Sequence, residues 1–498
     1  MLIGTLMRRN TGERLGEGES RTKLFLSNML VYGFGSVLAK LVPFVMLPIV
    51  TRLMPGTVYF GLSDLTHTLV QFAQAFAIMG MYDAMFRMFF ERDEADYKRR
   101  VCSTAFLFVT GCSMVVAVSM LLLHDPISRV FFGGVEFSSL VVVAAVSVIV
   151  GGNGSIIQAP TRMLNKKLTF IILNLVTAVL SYAVAIPMIL VGEYVLALPV
   201  AAAAASLVAL VVFAILNRQW FSLRLFDVGL LREMLAIGVP LMPTFLFYWV
   251  FNSVDRLMIV NMIGTDSSGV YAAAAKIGAI SQLIYTAFAQ GWQYFAFSTM
   301  HDEDQVELNS RVYEYLGVVS FVACGLLSVL AQPLFWVMFP ERYSYGAVSS
   351  VYLFLAPLLL MLYQVVSNQL LVIKKTWPTL IVLTIAAVTN VLLNYVLIPV
   401  LGIEGASIAT LFGYVIANIG ALCLLTKMNL MAVKARFGIM AIAMVVYLAW
   451  WRLFGYESGP LVSLLGAITF IAGACWLYRG ELSVIQRKIK GALHGGKR

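Results

Sequence analysis

Apolar runs of about 20 residues recur along the whole chain, each long enough to cross a ~30 Å hydrocarbon core as a helix. They lie near 25–51, 61–90, 101–123, 138–161, 168–191, 194–217, 232–263, 267–299, 311–332, 347–372, 379–400, 403–426, 435–454 and 460–478. That pattern predicts an all-α membrane protein of about 14 transmembrane helices. Composition excludes a soluble domain: 12% of the 498 residues are charged and 60% are hydrophobic, whereas ordinary domains carry roughly 25% charged residues.

The runs also repeat. Gly61 and Gly269, Gln74 and Gln282, and the pairs Lys166-Lys167 and Lys374-Lys375 are each separated by 208 positions. Ile186-Pro187 with Gly192-Glu193 recurs as Ile398-Pro399 with Gly402 and Glu404. Self-similarity at a fixed period marks duplicated architecture. Six crossings per unit is an even number, so the two copies enter the membrane in the same direction, as a parallel repeat. The expected domains are a cytosolic N-terminal tail at 1–24 and a first lobe at 25–217 holding helices one to six. A basic cytoplasmic connector at 218–231 leads to a second lobe at 232–426 with helices seven to twelve. Helices thirteen and fourteen follow at 427–478, then a basic cytosolic tail at 479–498.

A net charge of +10 would suit nucleic acid, but the charges are distributed as in a membrane protein. Lys and Arg crowd alternate loops: Arg92, Lys98, Arg99 and Arg100, then Arg162, Lys166 and Lys167, then Arg218 and Arg224, then Lys427, Lys434 and Arg436. The opposite loops hold few, among them Arg52, Arg129, Arg342 and Arg452. This positive-inside bias places both termini in the cytoplasm, and the acidic loop His301-Asp302-Glu303-Asp304 does not overturn it. The five cysteines fall inside apolar spans with no metal or redox spacing. No phosphate-binding GxxxxGK[ST] loop and no Ser-His-Asp or Cys-His arrangement is present, so no cofactor, no metal and no catalytic residues are expected.

What stands out is charge inside apolar spans, which costs roughly 2.5–3.5 kcal/mol per residue near a bilayer centre. Lys40 sits near the middle of helix one, about 15–20 Å from either end at 1.5 Å per residue. Lys276 lies in helix eight, Arg256 follows Asp255 about two turns from the outer end of helix seven, and Arg52 marks the outer end of helix one. Together Lys40, Arg52, Arg256 and Lys276 would make a cationic cavity for an anionic group such as a phosphate. Each also has a structural reading: a local pair with Asp255 for Arg256, an interfacial anchor for Arg52, packed ion pairs for the lysines. Asp64 and His67, one turn apart in helix two, are candidates with Asp255 for coupling or gating. Pro43 and Pro48, then Pro240 and Pro243, interrupt the helix that opens each half.

Three stretches then carry a family resemblance: Leu47-Pro48-Ile49-Val50-Thr51-Arg52-Leu53-Met54-Pro55 with Tyr59 and Gly61; Phe251 to Ile259 with Gly264, Gly269-Val270-Tyr271 and Lys276-Ile277-Gly278; and Leu397-Ile398-Pro399 with Gly402-Ile403-Glu404-Gly405-Ala406. They resemble the polysaccharide-flippase branch (O-antigen and exopolysaccharide transporters) of the multidrug/oligosaccharidyl-lipid/polysaccharide (MOP) exporter superfamily, over roughly 25–478. The resemblance implies a MATE-like fold of two six-helix lobes around a central cavity, with two extra C-terminal helices. It also implies alternating access and movement of a polyprenyl-diphosphate-linked oligosaccharide across a bacterial inner membrane. Arg256 and Lys276 fall where the family often has basic residues; Lys40 matches no motif. The implied partners are the lipid-linked oligosaccharide, membrane lipids, and polysaccharide polymerase and chain-length proteins, with no nucleic acid. The prenyl tail would stay in lipid through a gap that helices thirteen and fourteen could line. Rival readings are a drug/cation antiporter of the same superfamily, which would want deep acids, and a lipid II flippase. The coupling ion stays open.

Overall fold

A computed structural model describes residues 41–298, 304–373, 377–481 and 483. Lys40, His301, Lys374 and Lys375 therefore lie outside the described residues. The described chain is helical, and no strand occurs in it.

The first half contains α1 (Leu41–Leu53), α2 (Thr57–Ile78), α3 (Met81–Phe89), α4 (Ala95–Leu122), α5 (His124–Phe132), α6 (Ser138–Met163), α7 (Lys167–Leu190) and α8 (Ala197–Asn217). The second contains α9 (Val228–Gly238), α10 (Met242–Ile263), α11 (Thr265–Gly278), α12 (Ser281–Ser298), α13 (Gln305–Met338), α14 (Gly346–Val372), α15 (Trp377–Leu401) and α16 (Ile403–Lys427). The chain then runs through α17 (Ala435–Trp450), a π-helical turn (Trp451–Gly455) and α18 (Pro460–Leu477). Among the described residues, eleven helices are long and apolar enough to span a bilayer, or twelve when α2 and α3, bent by 50°, count as one. Two expected spans account for the difference from fourteen. The first is described only from Leu41, and the eighth is divided into α11 and α12 by a break at Ala279-Ile280.

Burial sorts the helices by position. On α7 the exposed residues Leu168, Ile172, Val176 and Val179 form one stripe at helical spacing, an apolar face suited to lipid. The central helix α14 is buried on nearly every side, with Val351, Leu355, Leu358, Leu362, Val365 and Val366 all in the core.

The period seen in the residues returns in the helices: α2 and α11 begin 208 residues apart (Thr57, Thr265), as do α6 and α14 (Ser138, Gly346). The two halves meet at this repeat. A Cβ on Gly61 would lie 2.7 Å from the Gly269 nitrogen, and one on Gly269 would lie 1.9 Å from the Thr57 carbonyl oxygen. Gly61 and Gly269 are equivalent positions of the repeat, and glycine is what lets backbones approach this closely. A second close contact lies at the other end of α2. There Met79 and Gly80 adopt left-handed backbone conformations (φ 48° and 69°) and break the helix. The break seats Gly80 on Gly238, where an added Cβ would be 2.4 Å from the Gly238 carbonyl oxygen. We call the end bearing Arg92–Arg100, Arg162 and Arg218 the basic end, and the end bearing Gly61 the opposite end.

Candidate functional site

Between these two contacts lies a cavity of about 720 Å³. Asp64, His67, Gln71 and Gln74 line it from α2, Ser155, Gln158 and Arg162 from α6, Trp249, Asn252 and Arg256 from α10, and Lys276 from α11. Along α2 it reaches from Asp64 to Ile78, about 21 Å at 1.5 Å per residue. Gly80, Tyr82 and Asp83 line its basic end.

Charge concentrates at the roof, nearest the opposite end. Arg256 Nε donates to Asp64 Oδ2 at 2.5 Å, and Lys276 Nζ reaches Asp64 Oδ1 at 3.3 Å. Asp64 is buried, with its side chain 7% exposed, whereas Lys276 is 49% exposed. Asp255 is held differently. Its Oδ1 accepts from the Arg256 backbone N–H at 2.8 Å and sits 3.5 Å from Arg256 Nη1. Its Oδ2 accepts from the Tyr271 hydroxyl and, at 3.4 Å, from the Thr410 hydroxyl. Asn390 and Asn394 extend that chain of hydrogen bonds along α15. Asp255 thus joins α10, α11 and α16 within the second half, and it orients Arg256 toward α2. Burying the Asp255 carboxylate is tolerable because these donors satisfy both of its oxygens.

Of the predicted residues, Asp64, His67, Arg256 and Lys276 come together at this cavity, with Asp255 behind Arg256. Lys40 lies outside the described residues. Arg52 is elsewhere: Nη2 donates to the Val337 carbonyl at 2.6 Å and Nη1 to the Met338 carbonyl at 3.5 Å, at the C-terminus of α13. Arg342, just beyond that terminus, returns the contact by donating to the carbonyls of Thr51, at 2.7 Å, and Met54, at the C-terminus of α1. Each guanidinium satisfies the orphan carbonyls that end the other helix and meets the negative end of its dipole. The pair is a reciprocal clasp across the halves at the opposite end. Position in an apolar run could not separate this role from a cavity role.

Sequence reasoning missed the wall below the roof. Gln71, Gln74, Gln158 and Asn252 are neutral amides, and Trp249, Phe245 and Tyr82 supply aromatic faces. Arg162, counted only as a topological charge, lies at the basic end with Nη1 donating to the Tyr82 hydroxyl at 2.8 Å. The available signal was amides recurring inside apolar helices, Gln71 and Gln74 being three apart.

An apolar pocket of about 440 Å³ adjoins the roof. Leu41, Pro43, Phe44 and Leu47 of α1, Phe60 of α2, Tyr182 of α7 and Leu283 of α12 line it, and Lys276 lines both it and the polar cavity. The groove between α17 and α18, the helices expected to line a gap between the lobes for the prenyl tail, shares no residue with either.

The α17–α18 hairpin is instead fastened to the second half at both ends. Arg436 pairs with buried Glu314 of α13 and with Glu481. Arg452, turned by the π-helical segment, pairs with buried Glu404 of α16 at 2.7 Å.

Comparisons with known proteins agree with this architecture. A family model described as polysaccharide biosynthesis protein matches residues 49–347, more than half of the chain. No curated protein matches the sequence. Among solved structures, the fold is similar to the lipid II flippase MurJ in an inward closed conformation (TM-score 0.70, 13% identity, 91% of this chain and 100% of that one). It is also similar to an inward-facing multidrug resistance MATE family transporter of the MOP superfamily (0.58, 17%, 81% and 94%). A third is the bent form of the Vibrio cholerae MATE transporter VcmN (0.52, 15%, 82% and 97%). At such identities the likeness speaks for the fold. The family match over more than half of the chain makes this protein a member of the polysaccharide biosynthesis protein family, with a multi-pass helical fold similar to that of MurJ and the MATE transporters.

Proposed function

We propose that this protein flips a polyprenyl-diphosphate-linked oligosaccharide across a bacterial inner membrane by alternating access, with both termini in the cytoplasm. The two moving lobes are 25–217 and 232–426. One observation carries the reading: Lys276 lines both a polar, amide-lined cavity and an apolar pocket, and Arg256 lines the polar cavity beside it. A lipid-linked sugar has that order of chemistry, with hydroxyls on one side of a diphosphate and hydrocarbon on the other. A diphosphate carries about two negative charges, which hydrocarbon would not tolerate. Guanidinium and ammonium donors lower that barrier. Amide side chains suit sugar hydroxyls because each offers both a donor and an acceptor, and Trp249 offers a face for a pyranose ring. The prenyl chain would leave beside α1 and α12, with no need for the α17–α18 groove. Lys40, adjoining the pocket residue Leu41 in sequence, remains a candidate substrate contact.

Mass spectrometry of lipid-linked oligosaccharides in cells lacking the protein tests this reading, with complementation by wild type or by Arg256→Ala/Lys276→Ala. Accumulation of a complete prenyl-diphosphate repeat unit, relieved by wild type alone, is the expected result. Accumulation of lipid II in its place would make the chain a lipid II flippase. If nothing accumulates, the drug/cation antiporter reading takes over.

A further inference from the structure

We infer that Asp64 is a resident substitute for the substrate anion, and that its displacement from Arg256 and Lys276 by the incoming diphosphate releases the halves at the opposite end. The inference rests on the proposed function and concerns how the same site is regulated.

The first observation is charge balance. The roof holds two cations, Arg256 and Lys276, and two carboxylates, Asp64 and Asp255, so its formal charge is zero. An anion entering a neutral, partly dehydrated site gains little from Coulomb attraction. It gains much more if one carboxylate leaves, because two donors are then freed.

The second observation says which carboxylate leaves. Asp255 is anchored from its own half by a backbone N–H, a tyrosine and a threonine besides Arg256. Asp64 has no such anchor. Among the described residues, the only donors to its carboxylate are Arg256 and Lys276, both from the other half. His67 of the same helix is the remaining ionisable group near it. Lys276 is half-exposed and faces the cavity, so an anion can reach it before the pair with Asp64 has opened.

The third observation links exchange to motion. Asp64 belongs to α2, and its two partners belong to α10 and α11. Its pairs with them are the charge pairs that tie the halves at the roof, directly below the contact of Gly61 with Gly269. A diphosphate held by Arg256 and Lys276 takes over both donors and leaves α2 without a charged partner. Occupancy of the cavity is thereby converted into loosening of the closed end. A ligand moves an equilibrium only through differential affinity for its two states, and here the differential is the lost Asp64 pair.

The test uses the full chain in neutral phospholipid nanodiscs and inorganic pyrophosphate as the probe. Nitroxide labels are placed at Glu136→Cys and Ser344→Cys, exposed at the opposite end of the two halves, with the five native cysteines replaced. Asp64→Asn should bind pyrophosphate at least about tenfold more tightly than wild type, since the binding-competent form no longer has to be freed first. Its label distance should be wide without ligand. In wild type, saturating pyrophosphate should widen the distance, a readout that needs no Asp64 variant to fold. Equal or weaker binding by Asp64→Asn, abolished by Arg256→Ala/Lys276→Ala, would overturn the exchange and leave the anion site standing. So would an unchanged wild-type distance at saturation. No pyrophosphate binding by either protein would remove the anion site itself, and with it the reading of function.

Discussion

Gly269→Ala should act as a wedge at the closed end, and its size follows from the backbone. The added methyl would lie 1.9 Å from the Thr57 carbonyl oxygen, whereas ordinary contact begins at 3.4 Å. Because the obstruction is main chain, no rotamer relieves it, and α2 must move from α11 by about 1.5 Å. Overpacking of this kind costs about 1–3 kcal/mol. The cost falls only on the state that holds the two helices together, so the balance should shift toward opening by roughly 5- to 150-fold. Electron paramagnetic resonance on the labelled pair at positions 136 and 344 reads that shift directly. Gly111→Ala is the control, because its methyl meets nothing within 4 Å and alanine favours the helix by up to about 1 kcal/mol. If Gly269→Ala gives the same distance distribution and thermal midpoint as Gly111→Ala, the contact is not a closed gate and the argument fails.

Arg52→Ala should widen the opposite end by releasing α13, at a cost of about 0.5–2 kcal/mol, and, because anion binding and opening are linked, should tighten pyrophosphate binding rather than weaken it. An affinity loss matching that of Lys276→Ala would return Arg52 to the binding site. Arg452→Leu strands buried Glu404, and with Arg452 itself 30% exposed the discounted loss is about 1–3 kcal/mol; detergent melting curves should show Glu404→Gln/Arg452→Leu recovering part of it. Burial pushes the Glu481 carboxyl upward, but hydrogen bonding from Arg436 outweighs this and holds it below the ordinary range. A carboxyl depressed by folding contributes stability above its unfolded pKa, lost as pH falls through the folded value. Melting temperature between about pH 3 and pH 6 should therefore fall less steeply in Glu481→Gln than in wild type; parallel curves would exclude that contribution.

Much of the architecture was legible because a bilayer leaves few choices. Apolar length announces a spanning helix, and the 208-residue period in Gly61 and Gly269 foretold the matching starts of α2 and α11. The break between α11 and α12 was not legible, since residues 267–299 stay apolar across it. The cost of burying charge likewise made Asp64, Arg256 and Lys276 visible as candidates. Arg52 had the same signature, and its structural role is different.

Residue type and position within an apolar run are properties of the chain alone, so the sequence by itself determined the helical membrane class, the duplication and the cost of each buried charge. Which charge answers which is a property of three-dimensional distance. Asp64 lies 192 residues from Arg256 and 212 from Lys276, and Arg52 meets the end of a helix 285 residues away. Coulomb and hydrogen-bond energies decay over a few ångströms, whatever the separation along the chain. Only the packing of the two halves could therefore decide that the roof is neutral, that of its two carboxylates Asp255 is anchored within its own half while Asp64 is held from the other, and that one arginine closes the protein while another faces its cavity.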